Sequence, residues 1–145
     1  MRDCTIAVNE KKSYFAYAWE VPEVGRKLRC DRIEFEPGEG PKLFAVNTSK
    51  VRQVEDYGEG FYKVTTASSE YYVKNVNVPE EKIHLASYFE EPTVGDIFAC
   101  LMFNRLNGQL DRKCVHTSKV MEVRWFNGHV CRVRTKNSFY FLIKR

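Results

Sequence analysis

One stretch of this chain occurs twice. Pro22-Glu23-Val24-Gly25 returns as Pro92-Thr93-Val94-Gly95, and Val46-Asn47-Thr48-Ser49-Lys50-Val51 returns as Val115-His116-Thr117-Ser118-Lys119-Val120. The match continues through Val54/Val123, Val64/Val133, Thr66/Thr135, Ser69/Ser138 and Tyr71/Tyr140. The offset is 70 residues before the intervening loop and 69 after it, so one residue was gained or lost between Cys30 and Val46. Self-similarity at a fixed period constrains a fold more than any single motif, because each repeat must be one structural unit. The expectation is two modules, residues 1–76 and 77–145. A unit of roughly 60 residues buries only about 60% of its unfolded surface and is marginal by itself, so the modules are expected to pack together.

Within each module the pattern is that of short β-strands. Ser13-Tyr14-Phe15-Ala16-Tyr17-Ala18-Trp19 is aromatic and apolar, and it follows Thr5-Ile6-Ala7-Val8 across a polar turn at residues 9–12. The second module contains no counterpart of that first strand. Asn107-Gly108 is a strong signal for a type I′ hairpin turn. Further turns are expected at Tyr57-Gly58-Glu59-Gly60, Phe126-Asn127-Gly128-His129 and Lys136-Asn137-Ser138. Four or five short strands per module, with turns every few residues, predict an all-β chain. The expected architecture is two tandem SH3-like small β-barrel or sandwich modules from an internal duplication, plus an N-terminal strand. Val51, Val54, Val120 and Val123 are the expected core positions of the repeated motif.

The pattern Thr-Ser-x-Val-x-x-Val, then a hairpin, then Thr-x-Asn-Ser-x-Tyr-x-Leu resembles one found in short bacterial and phage-type β-proteins. The second module carries it as Thr117, Ser118, Val120, Val123, Thr135, Asn137, Ser138, Tyr140 and Leu142. The first module departs at Ser68 and Val73. The resemblance implies a small β-barrel accessory protein, of the size of phage inhibitors of host defence such as anti-CRISPR proteins. It implies no particular chemistry.

Charge separates the two modules. Residues 1–99 hold 13 Lys/Arg against 17 Asp/Glu, whereas residues 100–145 hold 10 against 2. Arg132, Arg134 and Lys136 alternate with Val133 and Thr135, and period two puts alternate residues on one face of a strand. Arg124 and Lys119 lie close in sequence, and Trp125 and Phe126 are expected to expose aromatic rings at the end of the hairpin. Cations beside aromatics are what single-stranded or shape-based nucleic-acid binding uses. The same stripe also suits an acidic protein, the other module or plain solvation. At the matched positions the first module has Lys63, Thr65, Ala67 and Glu55, so the fold does not require the stripe.

Other chemistries find little support. The five cysteines form no Cys-x-x-Cys pair, which argues against a zinc framework and for free thiols in a reducing compartment. Cys114-Val115-His116 and His129-Val130-Cys131 pair a thiol with an imidazole, but nucleophilic catalysis also needs an orienting group and an oxyanion donor. Neither is recognisable, and no Gly-rich phosphate loop precedes a helix. No metal site or cofactor is expected. The repeated Thr-Ser is expected to satisfy backbone groups in a turn. No apolar run reaches the length of a membrane span. The expectation is a cytoplasmic, non-enzymatic binding protein whose partner is nucleic acid or a nucleoprotein. The alternative is an inhibitor that binds an acidic host protein.

Overall fold

The computed structural model describes residues 11–36, 38, 40–58, 60–78, 83–136 and 138–144. The strand expected at residues 5–8 lies outside them. Twelve strands are described, β1 (Lys12–Ala18), β2 (Lys27–Glu36), β3 (Gly40–Lys50), β4 (Gln53–Asp56), β5 (Phe61–Thr65), β6 (Ser69–Asn75), β7 (Ile83–Tyr88), β8 (Ala99–Leu106), β9 (Gln109–His116), β10 (Glu122–Trp125), β11 (Val130–Arg134) and β12 (Phe139–Lys144). No helix occurs among the described residues.

The strands form two six-stranded sheets, ordered β3-β2-β1-β6-β5-β4 and β9-β8-β7-β12-β11-β10. Counted from its own first strand, each sheet has the same order. Two antiparallel three-stranded meanders meet at a central parallel pair, β1 with β6 and β7 with β12. That parallel pair makes the sheets mixed, and no turn signal reveals it, because its partners are joined only through the four intervening strands. The hydrogen-bonded ladders do not close, so the described strands give open sheets rather than closed barrels. The first sheet is nevertheless sharply curved. Strands β3 and β4 are its opposite edges, yet only Val51 and Arg52 lie between them. Asn107 (φ 51°) and Gly108 (φ 77°) both take the left-handed conformation that a type I′ turn requires, and they join β8 to β9.

Both faces of the central strands are buried, which is why β1 reads as a continuous apolar run rather than an alternating one. In β1, Ala16 and Ala18 face a cluster private to the first sheet, with Leu28, Cys30, Val51, Val64 and Val73. Ala86, Phe98, Cys100, Val120, Val133 and Leu142 form the matching cluster of the second sheet. The other face of β1 sends Phe15 and Tyr17 into a third cluster drawn from both sheets, with Phe61, Tyr72, Leu85, Phe103 and Phe141 among its members. The two modules therefore share a core. Val51 and Val120 are 2% exposed, as expected of core residues, whereas Val54 and Val123 are half-buried at the rim of the private clusters.

The repeated threonines act on the backbone. The Leu28 N–H donates to Thr48 Oγ1 at 2.9 Å, and the Phe98 N–H donates to Thr117 Oγ1 at 3.2 Å. Each hydroxyl thus satisfies a buried amide at the start of a strand, which gives the motif a structural role in both modules.

Candidate nucleic-acid interface

The basic stripe lies on β10 and β11. Strand β10 is an edge of its sheet, and the register sets Glu122 opposite Arg134, Val123 opposite Val133, Arg124 opposite Arg132 and Trp125 opposite Cys131. Directly opposed residues project from the same face. Glu122, Arg124, Arg132 and Arg134 therefore share one face, and Val123 and Trp125 share the other. Strand β12 continues the first face with Phe139 and Phe141, opposite Arg134 and Arg132. This is the face that meets the first sheet, so the stripe runs along the seam between the modules and is not isolated on an outer surface.

The arginines are partly compensated. Glu122 Oε1 lies 3.6 Å from both Arg132 Nη2 and Arg134 Nε. One carboxylate thus serves two guanidinium groups, and among the described residues no ion pair holds Arg124. The Arg132 guanidinium lies over the Phe139 ring, and that of Arg124 over the Phe126 ring, each at 5.2 Å. Cation–π contacts of this kind hold a guanidinium in place without neutralising it. Tyr57, from the first sheet, has its hydroxyl pushed above the usual phenol range, first by burial and then by its hydrogen bond to Glu55, while Arg124 pulls the other way.

The seven expected site residues do not form one patch. Strand β11 ends at Arg134, so Lys136 is exposed in the bend beyond it and does not extend the alternating stripe. Lys119 is likewise exposed, before β10. Both lie toward the end of the strand pair where the Met121 N–H donates to the Arg134 carbonyl at 2.8 Å. Trp125 and Phe126 are at the opposite end. Trp125 is 41% exposed and meets the Tyr88 ring edge-on. Phe126 corrects the expectation of an exposed ring. It is half-buried, stacks on Tyr57 at 5.2 Å and on Phe141 at 6.1 Å, and packs against the shared core. Its place beside the module seam, invisible in a local pattern, turns it inward.

Sequence reasoning missed the residue that ties the hairpin to the other module. Asn127 Nδ2 lies within hydrogen-bond reach of Ser13 Oγ at 3.1 Å, Tyr72 OH at 3.3 Å and Glu70 Oε1 at 3.4 Å. Its Oδ1 accepts from the His129 and Val130 amides at 2.7 and 2.9 Å. The sequence marks Asn127 only as a turn residue, which the second set of bonds explains. The first set depends on how the sheets meet.

Cys114 and His116 are both exposed on edge strand β9, and Cys131 is fully buried, with burial pushing its thiol up to about 12. No group of three His, Cys, Asp or Glu that could hold a metal ion occurs among the described residues. Compared with family models, with curated proteins and with solved structures, the chain finds no match.

Proposed function

We propose that this chain is a non-enzymatic binding protein whose basic C-terminal module engages nucleic acid or a nucleoprotein. The observation that carries the reading is the β10–β11 pair, where three guanidinium groups share one face with a single carboxylate and lie beside aromatic rings. Lys119 and Lys136 extend the positive charge at one end, and Trp125 offers an exposed ring at the other. A cationic edge with aromatic platforms suits a phosphate backbone with unstacked bases. The reading includes a reducing, cytosolic setting, which the free thiols of Cys30, Cys100, Cys114 and Cys131 support. It also takes the two sheets as descendants of one SH3-like module by internal duplication, on the strength of their common strand order and matched core positions.

Titration of labelled single- and double-stranded nucleic acid at two salt concentrations tests the reading. Neutralising one phosphate-contacting cation should lower the slope of log affinity against log salt by about one. The Arg132/Arg134/Lys136→Ala protein should bind much more weakly at low salt. Unchanged binding by that variant, or no binding by the native protein, would remove the nucleic-acid reading.

A protein partner is the second reading, favoured by a different observation. Equivalent loops in the two modules expose apolar side chains, with Trp19, Val21 and Val24 at 45–63% in the first and Phe89, Val94 and Ile97 at 59–69% in the second. Exposed apolar groups repeated at one place on a fold suit protein contact. Co-purification of one host protein, lost on Ile97→Lys, would shift the conclusion to an inhibitor that acts by binding.

A further inference from the structure

The two modules meet along two related seams, and the seams have diverged. At one, the turn carrying Asn127 crosses over the first sheet, and its side chain reaches Ser13, Glu70 and Tyr72. Lys63 pairs with Glu70 there at 3.8 Å. At the other seam, the turn carrying Tyr57 crosses over the second sheet. The repeat offset puts Gly58 where Asn127 stands, Ile83 where Ser13 stands, Arg132 where Lys63 stands and Phe139 where Glu70 stands. Every polar partner except the cation has been replaced by an apolar residue or by no side chain at all.

Both seams hold a cavity, but the one at the Asn127 seam, about 450 Å³, is lined by Ser13, Lys63, Glu70 and Asn127, whereas the one at the second seam, about 190 Å³, is mostly aromatic. Phe139, Phe141, Phe61 and Tyr57 supply aromatic walls, and Arg132 supplies the charged group. Gly58 takes a positive φ of 87°, and a Cβ built on it would meet nothing within 4 Å, so no side chain crowds the cavity mouth at that position. The volume is smaller than the roughly 300–1,000 Å³ of a pocket for a drug-sized ligand, which leaves room for one flat ring system and not for a whole nucleotide.

We propose that this cavity binds a single nucleobase, stacked on the aromatic wall with the Arg132 guanidinium donating to its carbonyl oxygen or ring nitrogen. The inference rests on the nucleic-acid reading and adds to it that one base is splayed out of the strand into the seam. Unpaired bases are commonly held in this way, by an aromatic face and an arginine. The cations Arg124 and Arg134 flank Arg132 on the same face, where the phosphates on either side of that base would run.

The base has two sources, a single strand or a free nucleotide, and one experiment separates them. Fluorescence anisotropy would follow a labelled short single strand, and the same backbone with abasic sites, on the native protein and on Phe139→Leu and Gly58→Asn. Heteronuclear NMR would follow added mononucleotides. The native protein should prefer the base-bearing strand by about tenfold, within the range of one stacked base. Both variants should lose that preference while still binding the abasic strand. If Gly58→Asn does not fold, Phe139→Leu decides alone, because it retains an apolar side chain without the ring. Equal binding of both strands by the native protein would overturn the base-binding cavity and leave the nucleic-acid reading standing. Absence of strand binding, together with saturable mononucleotide shifts at Phe139 and Arg132, would support the cavity for free nucleotides and overturn the broader reading. Absence of both would overturn both.

Discussion

Asn127 shows how much of this protein depends on one side chain in a turn. Its carbonyl oxygen shapes the local loop, and its amide nitrogen reaches three oxygens of the other module. Leaving buried or half-buried polar groups unpaired costs more than the net worth of the bonds lost. Asn127→Ala should therefore lower unfolding stability by about 1–3 kcal/mol, measured by chemical denaturation. A loss below about 0.5 kcal/mol, the scatter of ordinary surface changes, would mean that the aromatic stack alone holds the seam. The stack is substantial, since Phe61 and Phe141 from opposite sheets have ring centroids 3.8 Å apart. The sequence announced Asn127 as a turn residue because that role is local. It announced nothing of its bridging role, because Ser13 and Tyr72 come near only when the sheets pack.

At the scale of the element, the repeated Thr-Ser-Lys-Val and the valine three residues later behave differently. The Val120 N–H donates to the Asp96 carbonyl, its carbonyl accepts from the Gly95 N–H, and its side chain lies in the private core of the second sheet. Val123 lies on edge strand β10, half-buried. A carboxylate placed in a fully buried apolar site lacks compensation, whereas one at a half-buried edge keeps part of its hydration. Val120→Asp should unfold the protein or cost at least about 3 kcal/mol. Val123→Asp should leave a folded protein with a lowered melting temperature. The check is circular dichroism with thermal melts of both variants, and equal damage at the two positions would contradict this ranking. The repeat made both valines stand out as core residues. It could not rank them, because depth depends on where the chain turns between β9 and β10 relative to the private core, which no local pattern gives.

Across the whole molecule, burial of ionisable groups makes stability sensitive to alkali. Burial pushes the thiols of Cys30, Cys100 and Cys131 up from 9.0 to about 12. Below pH 9.0 these thiols are protonated in both states, and their contribution to stability is fully present. As the pH rises from 9.0 toward about 12, the unfolded chain releases protons that the folded chain retains, so stability falls. Tyr17 and Tyr72 are also displaced upward by burial and act in the same direction. The denaturation midpoint should be steady from neutrality to pH 9 and drop steeply above it. Replacing Cys30 and Cys100 by alanine should flatten that drop. A midpoint independent of pH up to 11 would contradict the deep burial of these side chains.

The sequence by itself determined the all-β class, the two matching halves, the main turns, the structural role of the repeated threonines, the core positions Val51 and Val120 and the separation of charge. These follow from local rules, namely period two, turn chemistry, and the identity of residues at fixed offsets. Only the tertiary structure decided that β1 runs parallel to β6, that the arginine stripe borders the seam, that Phe126 points inward while Trp125 stays exposed, and that the cavity at the Gly58 seam is aromatic while the one at the Asn127 seam is polar. The β1–β6 pairing joins segments far apart in the chain, and the others depend on which face of one sheet meets the other. That choice is made by packing between residues far apart in the chain, here Phe61 against Phe141 and Tyr57 against Phe126, and no window of neighbouring residues contains it.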